Sequence, residues 1–191
     1  VNCLFFIKRG GTNLLITNPR DLNTFIKSLI KHDFTYFTAL NTLFNALLHH
    51  PKIAAVDFSK LKITLAGGMA TQTKVAAQWK ELTGSTVIEG YGLTECAPMV
   101  SVNSYNVTVH DGSIGLPMPG TDLRLIDDNN QVVTDFNCPG EIEIKGPQVM
   151  SHYWENTAET ELTFNEGWLK SGDIGQFDEH GLLYLVDRKK D

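Results

Sequence analysis

Apolar positions in the first half of the chain alternate between short runs of β-branched or aromatic residues and stripes at helical spacing. Cys3 to Ile7 and Leu14 to Thr17 are apolar runs separated by Lys8-Arg9-Gly10-Gly11, which predicts two strands joined by a turn. Asn18-Pro19 predicts a helix start, with Asn as the cap and Pro at the first helical position. Leu22, Phe25, Ile26, Leu29 and Ile30 then form one apolar stripe, as on a helix lying against a sheet. Phe34 to Thr38 predicts the next strand, and Leu43, Phe44, Leu47 and Leu48 resume helical spacing. Leu61 to Ala66 predicts a strand ending in Gly67-Gly68-Met69-Ala70. Thr71 is then expected to cap a helix that buries Val75, Trp79 and Leu82. Thr86 to Ile88 leads into a second glycine-rich corner. Alternating strands and helices predict an α/β unit with a largely parallel sheet, whose ligand would sit at the carboxyl ends of the strands.

Beyond about Asn103 the helical stripes vanish and turn signals recur: Asp111-Gly112, Pro119-Gly120, Pro139-Gly140, Gly146-Pro147. Leu123 to Ile126 and Glu141 to Lys145 alternate, the latter setting Ile142 and Ile144 against Glu141, Glu143 and Lys145. Only Ala158 to Leu162 suggests a further short helix. The expected fold is therefore α/β plus β, a parallel α/β subdomain over residues 1–104 followed by a small β-barrel-like subdomain over 105–191.

Composition narrows the chemistry. A hydrophobic share of 42% with 20% charged residues fits a soluble globular protein, and a net charge of −6 argues against a nucleic-acid partner. Cys3, Cys96 and Cys138 are odd in number, widely spaced and without CxxC pairing, which suggests reduced thiols and a cytoplasmic setting. The six histidines show no metal-ligand spacing. The longest apolar stretch, Leu4 to Ile7, is too short to span a bilayer.

Candidate chemistry concentrates in Glu89-Gly90-Tyr91-Gly92-Leu93-Thr94-Glu95. Gly90 and Gly92 allow sharp turning and close approach to a ligand. Tyr91 offers a flat face to a base, Thr94 a hydroxyl to a phosphate, and Glu95 a hard oxygen to a magnesium ion carried on phosphates. The same residues also fit a strand and turn with Tyr91 in a core and Glu95 in solvent. A second dense stretch runs from Glu166 to Gly175, where Asp173 stands between Gly172 and Gly175. Its carboxylate could accept from both ribose hydroxyls, or simply form a turn.

Tyr91-Gly92-Leu93-Thr94-Glu95 resembles a core motif of the adenylate-forming superfamily of acyl-CoA synthetases, luciferases and peptide-synthetase adenylation domains. Trp168 to Gly175 with Tyr184 to Asp191 resembles the fatty acyl-CoA synthetase signature, and the chain as a whole is most similar to bacterial long-chain fatty acid CoA ligases. Two departures stand out: Lys170-Ser171 replaces a common His-Thr, and Glu166 a common Asp.

The resemblance implies that Gly67, Gly68 and Tyr91 border the adenine, with Met69, Glu89, Gly90 and Gly92 also nucleotide-binding, that Asp173 and Arg188 hold the ribose side, that Thr94 and Glu95 are the catalytic pair with Glu95 on magnesium, and that Lys190 is the interdomain hinge. Thr35 to Leu48 matches the family segment behind the acyl-binding cavity, although its aromatics also read as plain core. The implied substrates are ATP, a long-chain fatty acid and coenzyme A, joined through an acyl-adenylate. A hydrophobic acid would bring such an enzyme into transient peripheral contact with the inner membrane, although no basic amphipathic helix is present to anchor it. No segment matches the family's Ser/Thr/Gly-rich phosphate loop. We therefore expect an internal segment of a longer protein, inactive alone. The rival readings are a nucleotide-binding module without catalysis and a fatty acyl-AMP ligase; a Rossmann dinucleotide binder is excluded because no G-x-G-x-x-G follows the first strand.

Overall fold

The computed structural model describes residues 2–189. Helices α1 (Asn2–Lys8) and α2 (Leu22–Lys31) precede β1 (Tyr36–Ala39), α3 (Asn41–Leu48), β2 (Ile63–Gly67), α4 (Thr73–Thr83) and β3 (Val87–Gly92). Then come β4 (Met99–Val102), β5 (Leu116–Pro117), β6 (Asp122–Ile126), β7 (Gly140–Lys145), α5 (Thr157–Thr163), β8 (Phe164–Asn165), β9 (Trp168–Phe177) and β10 (Leu183–Arg188). The first sheet has the order β1-β2-β3-β4-β5. Its first three strands are parallel, and β4 and β5 join antiparallel. Helices α2, α3 and α4 pack their apolar stripes into one cluster around Trp79. The Trp79 ring stacks on Phe37 at 5.3 Å and meets Phe44 edge-on at 4.8 Å. Its Nε1–H donates to Thr64 Oγ1, which donates in turn to Ser85 Oγ, so the indole nitrogen is satisfied inside the core.

Several expectations near the N-terminus are corrected. Cys3 to Ile7 lies in α1 rather than a strand, and Leu14 to Thr17 forms no regular element. A run of five apolar residues is too short to show either period, and flanking context decides: Leu4, Phe5 and Ile7 are exposed on α1 rather than buried in a sheet. The helix expected at Asn18-Pro19 begins at Leu22. Asn18 Oδ1 instead accepts from the Arg20 amide, a local turn, while Asp21 caps the helix by accepting from the Thr24 amide and hydroxyl. Thr71 is not the cap of α4; Gln72 occupies that position, and the Thr71 amide is drawn away to Glu89.

The second sheet, ordered β10-β9-β7-β6 with β8 beside β9, is antiparallel and open, and among the described residues it closes no barrel. Ile142 and Ile144 face an apolar cluster that also holds Tyr91 and Val100 from the first sheet and Cys96 from the turn between β3 and β4, so the two sheets share a core. Ile114 N–H donates to Leu183 O and Leu183 N–H to Gly115 O, lacing the approach to β5 to the start of β10. Glu143 is not on a solvent face as alternation suggested. It is 1% exposed, with Arg124 Nε and Nη2 at 2.7 and 2.6 Å and Asn165 Nδ2 at 2.9 Å.

Glu166 and Gly167 form the two-residue turn between β8 and β9, with φ of 49° and 83°. Both central residues of such a turn sit in the left-handed region, where Asn and Gly are far more comfortable than Glu. Replacing Glu166 with Asn is therefore expected to raise folding stability by roughly 0.5–1 kcal/mol, read as a higher urea midpoint with an unchanged denaturant slope.

Candidate functional site

The parallel strands β1, β2 and β3 all end on the same edge of the sheet, and the glycine corners sit there. Gly67 pairs in register with Gly90, while Gly68 and Met69 are exposed in the turn that follows β2. A cleft of about 380 Å³ opens at this edge, lined by Thr38, Ala39, Leu40, Leu43, Leu65 and Gly67. At the end of β3 the chain doubles back so tightly that a Cβ on Gly92 would stand 1.9 Å from Pro98 O. Only glycine fits there, and this close approach delivers Thr94 and Glu95 to the strand ends on a short 3₁₀ turn.

The two nucleotide motifs meet through side chains. Tyr91 Oη donates to Asp173 Oδ2 at 2.6 Å, and Arg188 Nε lies 3.6 Å from Asp173 Oδ1. Asp173 and Arg188 are cross-strand partners in β9 and β10. The Tyr91 ring is 8% exposed and belongs to the shared core. Burial first, then the Asp173 carboxylate, pushes its phenol well above the usual value, so it remains a donor. Arg188 is largely exposed and Asp173 mostly covered, with side-chain exposures of 63% and 14%. Lys190 lies outside the described residues.

Thr94 is exposed and Glu95 half-buried. Glu95 Oε1 accepts from Tyr153 Oη at 2.8 Å, and its second oxygen takes no hydrogen bond among the described residues. No three His, Cys, Asp or Glu side chains among the described residues converge as an all-protein metal cage would need. A magnesium ion carried on phosphates needs less, one or two carboxylates beside the phosphate oxygens, and Glu95 fits that requirement. The adjacent Cys96 thiol is fully buried and pushed up to about 11 by burial, which keeps it from acting as a nucleophile.

Glu89 differs from its neighbours. Its carboxylate turns into the protein, accepting from the Thr71 amide at 2.6 Å and facing His110 Nε2 at 3.4 Å. Glu89 thereby fixes the turn that carries Gly68 and Met69. Sequence reasoning missed His110, Tyr153 and Glu141. Glu141 accepts from the Gly172 amide at 3.3 Å and pairs with Lys189 at 3.0 Å, bracing the turn before Asp173. His110 and Tyr153 lie in no periodic stripe, and Glu141 stands on the polar side of one. The only signal was proximity to the Gly146-Pro147 and Gly112 turns or an alternating strand.

A family model described as "AMP-binding enzyme" matches residues 1–154. The chain belongs to this family. A long-chain-fatty-acid–CoA ligase of Escherichia coli O6:H1 is 52% identical over 191 residues, 100% of this chain and 34% of that protein. One from Salmonella typhimurium is 51% identical over the same 191 residues, again 34% of its length. The chain thus spans about a third of the length of these relatives. A solved anthranilate CoA ligase in complex with anthranoyl-AMP superposes with a TM-score of 0.87 at 26% identity, covering 95% of this chain and 35% of that one. Among the described residues no helix is long and apolar enough to cross a membrane.

The Glu89–His110 pair carries a pH dependence. Both side chains are nearly out of solvent, and Glu89 Oε2 and both His110 nitrogens lack a directed hydrogen bond, so charge holds the pair together. The facing Glu89 carboxylate, with a smaller contribution from Asp111, holds the His110 pKa above its usual 6.5 against the opposing effect of burial. The stability this pair contributes is complete below 6.5 and is lost as pH rises through the raised value, where Glu89 is left buried without a counter-charge. The urea midpoint is expected to fall over that alkaline range, and His110→Gln to abolish the slope. An unchanged slope in the variant would assign it to another group.

Proposed function

We propose that this chain is part of a long-chain fatty acid CoA ligase and supplies its adenine, ribose and metal-facing groups. The observation that carries the reading is the Tyr91–Asp173 hydrogen bond, which joins two nucleotide-type motifs 82 residues apart beside the ends of the parallel strands. The similarity to ligases in Escherichia coli and Salmonella supports the acid and the acyl acceptor.

In this reading, Gly67, Gly68, Met69, Gly90, Tyr91 and Gly92 border the adenine. Glu89 acts by holding the Gly68–Thr71 turn rather than by reaching the base. Asp173 accepts from the ribose hydroxyls, and Arg188 lends positive charge beside them. Thr94 donates to a phosphate and Glu95 offers its free oxygen to magnesium. When bound, magnesium offsets the negative charge that gathers on the phosphates. A fatty acid carboxylate oxygen attacks the α-phosphorus of ATP and pyrophosphate leaves with the electron pair of the broken bond. The thiolate of coenzyme A then attacks the acyl carbon and AMP leaves, giving the thioester. Neither step requires a protein nucleophile, so positioning and charge do the catalytic work. Lys190 would be the hinge to a further domain, the two halves 1–104 and 105–191 would be subdomains of one larger domain, and the enzyme would act in the cytoplasm with peripheral contact at the inner membrane when it takes up a hydrophobic acid.

The test is palmitate-dependent thioester formation from Mg-ATP and coenzyme A by the full-length protein carrying this chain, with the 191-residue chain assayed in parallel. Thioester from the full-length protein only is expected. A folded full-length protein that forms none would point to another acid or acceptor. Glu95→Gln in the full-length protein is expected to lower pyrophosphate release by about 100-fold, as for removal of a charge-stabilising group at a transition state; unchanged release would remove Glu95 from the site.

A further inference from the structure

Glu95 is held from two directions by the segment that follows β7. Its backbone carbonyl accepts from the Met150 amide at 2.7 Å, and its carboxylate Oε1 accepts from Tyr153 Oη at 2.8 Å. That segment is itself pinned. Gln148 Nε2 donates to Thr121 Oγ1 at 2.6 Å and to Met99 O at 3.3 Å, and the Tyr153 amide donates to Thr160 Oγ1 at 3.0 Å in α5. The Thr160 hydroxyl donates onward to Asn156 O at 2.8 Å. Tyr153 is therefore a fixed donor, while Glu95, on a three-residue 3₁₀ turn with several side-chain torsions, has no other side-chain partner among the described residues.

From this we infer that Tyr153 is a positioning residue for Glu95: by occupying one carboxylate oxygen it presents the other to the cation carried by a magnesium-nucleotide. The inference rests on the nucleotide reading given above. A phenol suits this task because it donates without bringing positive charge. A lysine or arginine in its place would neutralise the carboxylate and compete with the metal for it. An ordinary phenol keeps its proton through the neutral range, so the group remains a donor. The oxygen of a positioned carboxylate is ready for the ion. Without Tyr153, Glu95 must be ordered by the ion itself, which weakens binding without removing any ligand atom.

The experiment uses the full-length protein and its Tyr153→Phe variant, which keeps the ring and removes only the hydroxyl. ATP binding is measured by titration calorimetry over a series of magnesium concentrations, without acid or coenzyme A. Thermal unfolding without ligand is recorded in parallel. The expected result is an unfolding midpoint close to the parent's, normal ATP affinity at saturating magnesium, and a magnesium requirement raised about tenfold, the size of one lost hydrogen bond to a charged acceptor. In a Glu95→Gln background the same substitution is expected to add nothing, because the group it positions is gone. Equal magnesium dependence in Tyr153→Phe and parent overturns the inference, as does an equal loss of ATP affinity at every magnesium concentration, which would mark a merely structural role. Absence of any magnesium-dependent ATP binding by the parent overturns the nucleotide reading itself and this inference with it.

Discussion

One hydrogen bond ties the molecule's two halves to a common chemistry. Tyr91 belongs to a strand of the mixed sheet and its ring to the shared core, yet its hydroxyl ends on Asp173 of the antiparallel sheet. A buried phenol without a partner would be costly, and a carboxylate beside that core would be costlier still. Each group meets the other's requirement, so the relative placement of the two sheets and the direction of the Asp173 carboxylate are set together. Glu141, bracing Gly172 and Lys189, holds the same turn from the opposite side.

The polar groups around the strand ends are graded by how firmly they are held. Glu89 is locked inward by Thr71 and His110, Asp173 is half committed to Tyr91 and Arg188, Glu95 keeps one oxygen in hand, and Thr94 is exposed. This order follows burial, from Glu89 at 3% exposed to the exposed Thr94. Buried groups need partners because water is absent, and groups at the rim can wait for a ligand because water serves meanwhile.

Much of this was legible in the chain. The stripes of α2, α3 and α4 and the shared face of Ile142 and Ile144 follow from periodicity, and the parallel order of β1 to β3 follows from the alternation of strands with helices. The glycine corners were legible because Gly92 answers a steric demand that no other residue meets. What escaped were contacts between residues distant in sequence. Nothing in Tyr153 announces Glu95, and nothing in His110 announces Glu89, since a hydrogen bond between loops leaves no period. Start points also shifted where side chains compete for the backbone: Asn18 closes its own turn and yields the cap to Asp21. The barrel expectation failed because turn frequency reports how often strands reverse, while closure depends on whether the edge strands β6 and β10 find each other, and they do not pair.

The buried Glu143 has a further consequence for β6 and β7. Arg124 and Glu143 stand directly opposite in the ladder, with Trp168 beneath the guanidinium at 4.5 Å. Sliding β7 by one residue would swing the carboxylate into the Ile142 and Ile144 face and strand the guanidinium against an isoleucine. The charge pair adds little net stability over an apolar pair of the same size, because both ions had to leave water. Its effect is on spelling rather than strength: it admits one alignment of the two strands and rejects the frame-shifted one, and β9, which pairs with the other edge of β7, carries Asp173.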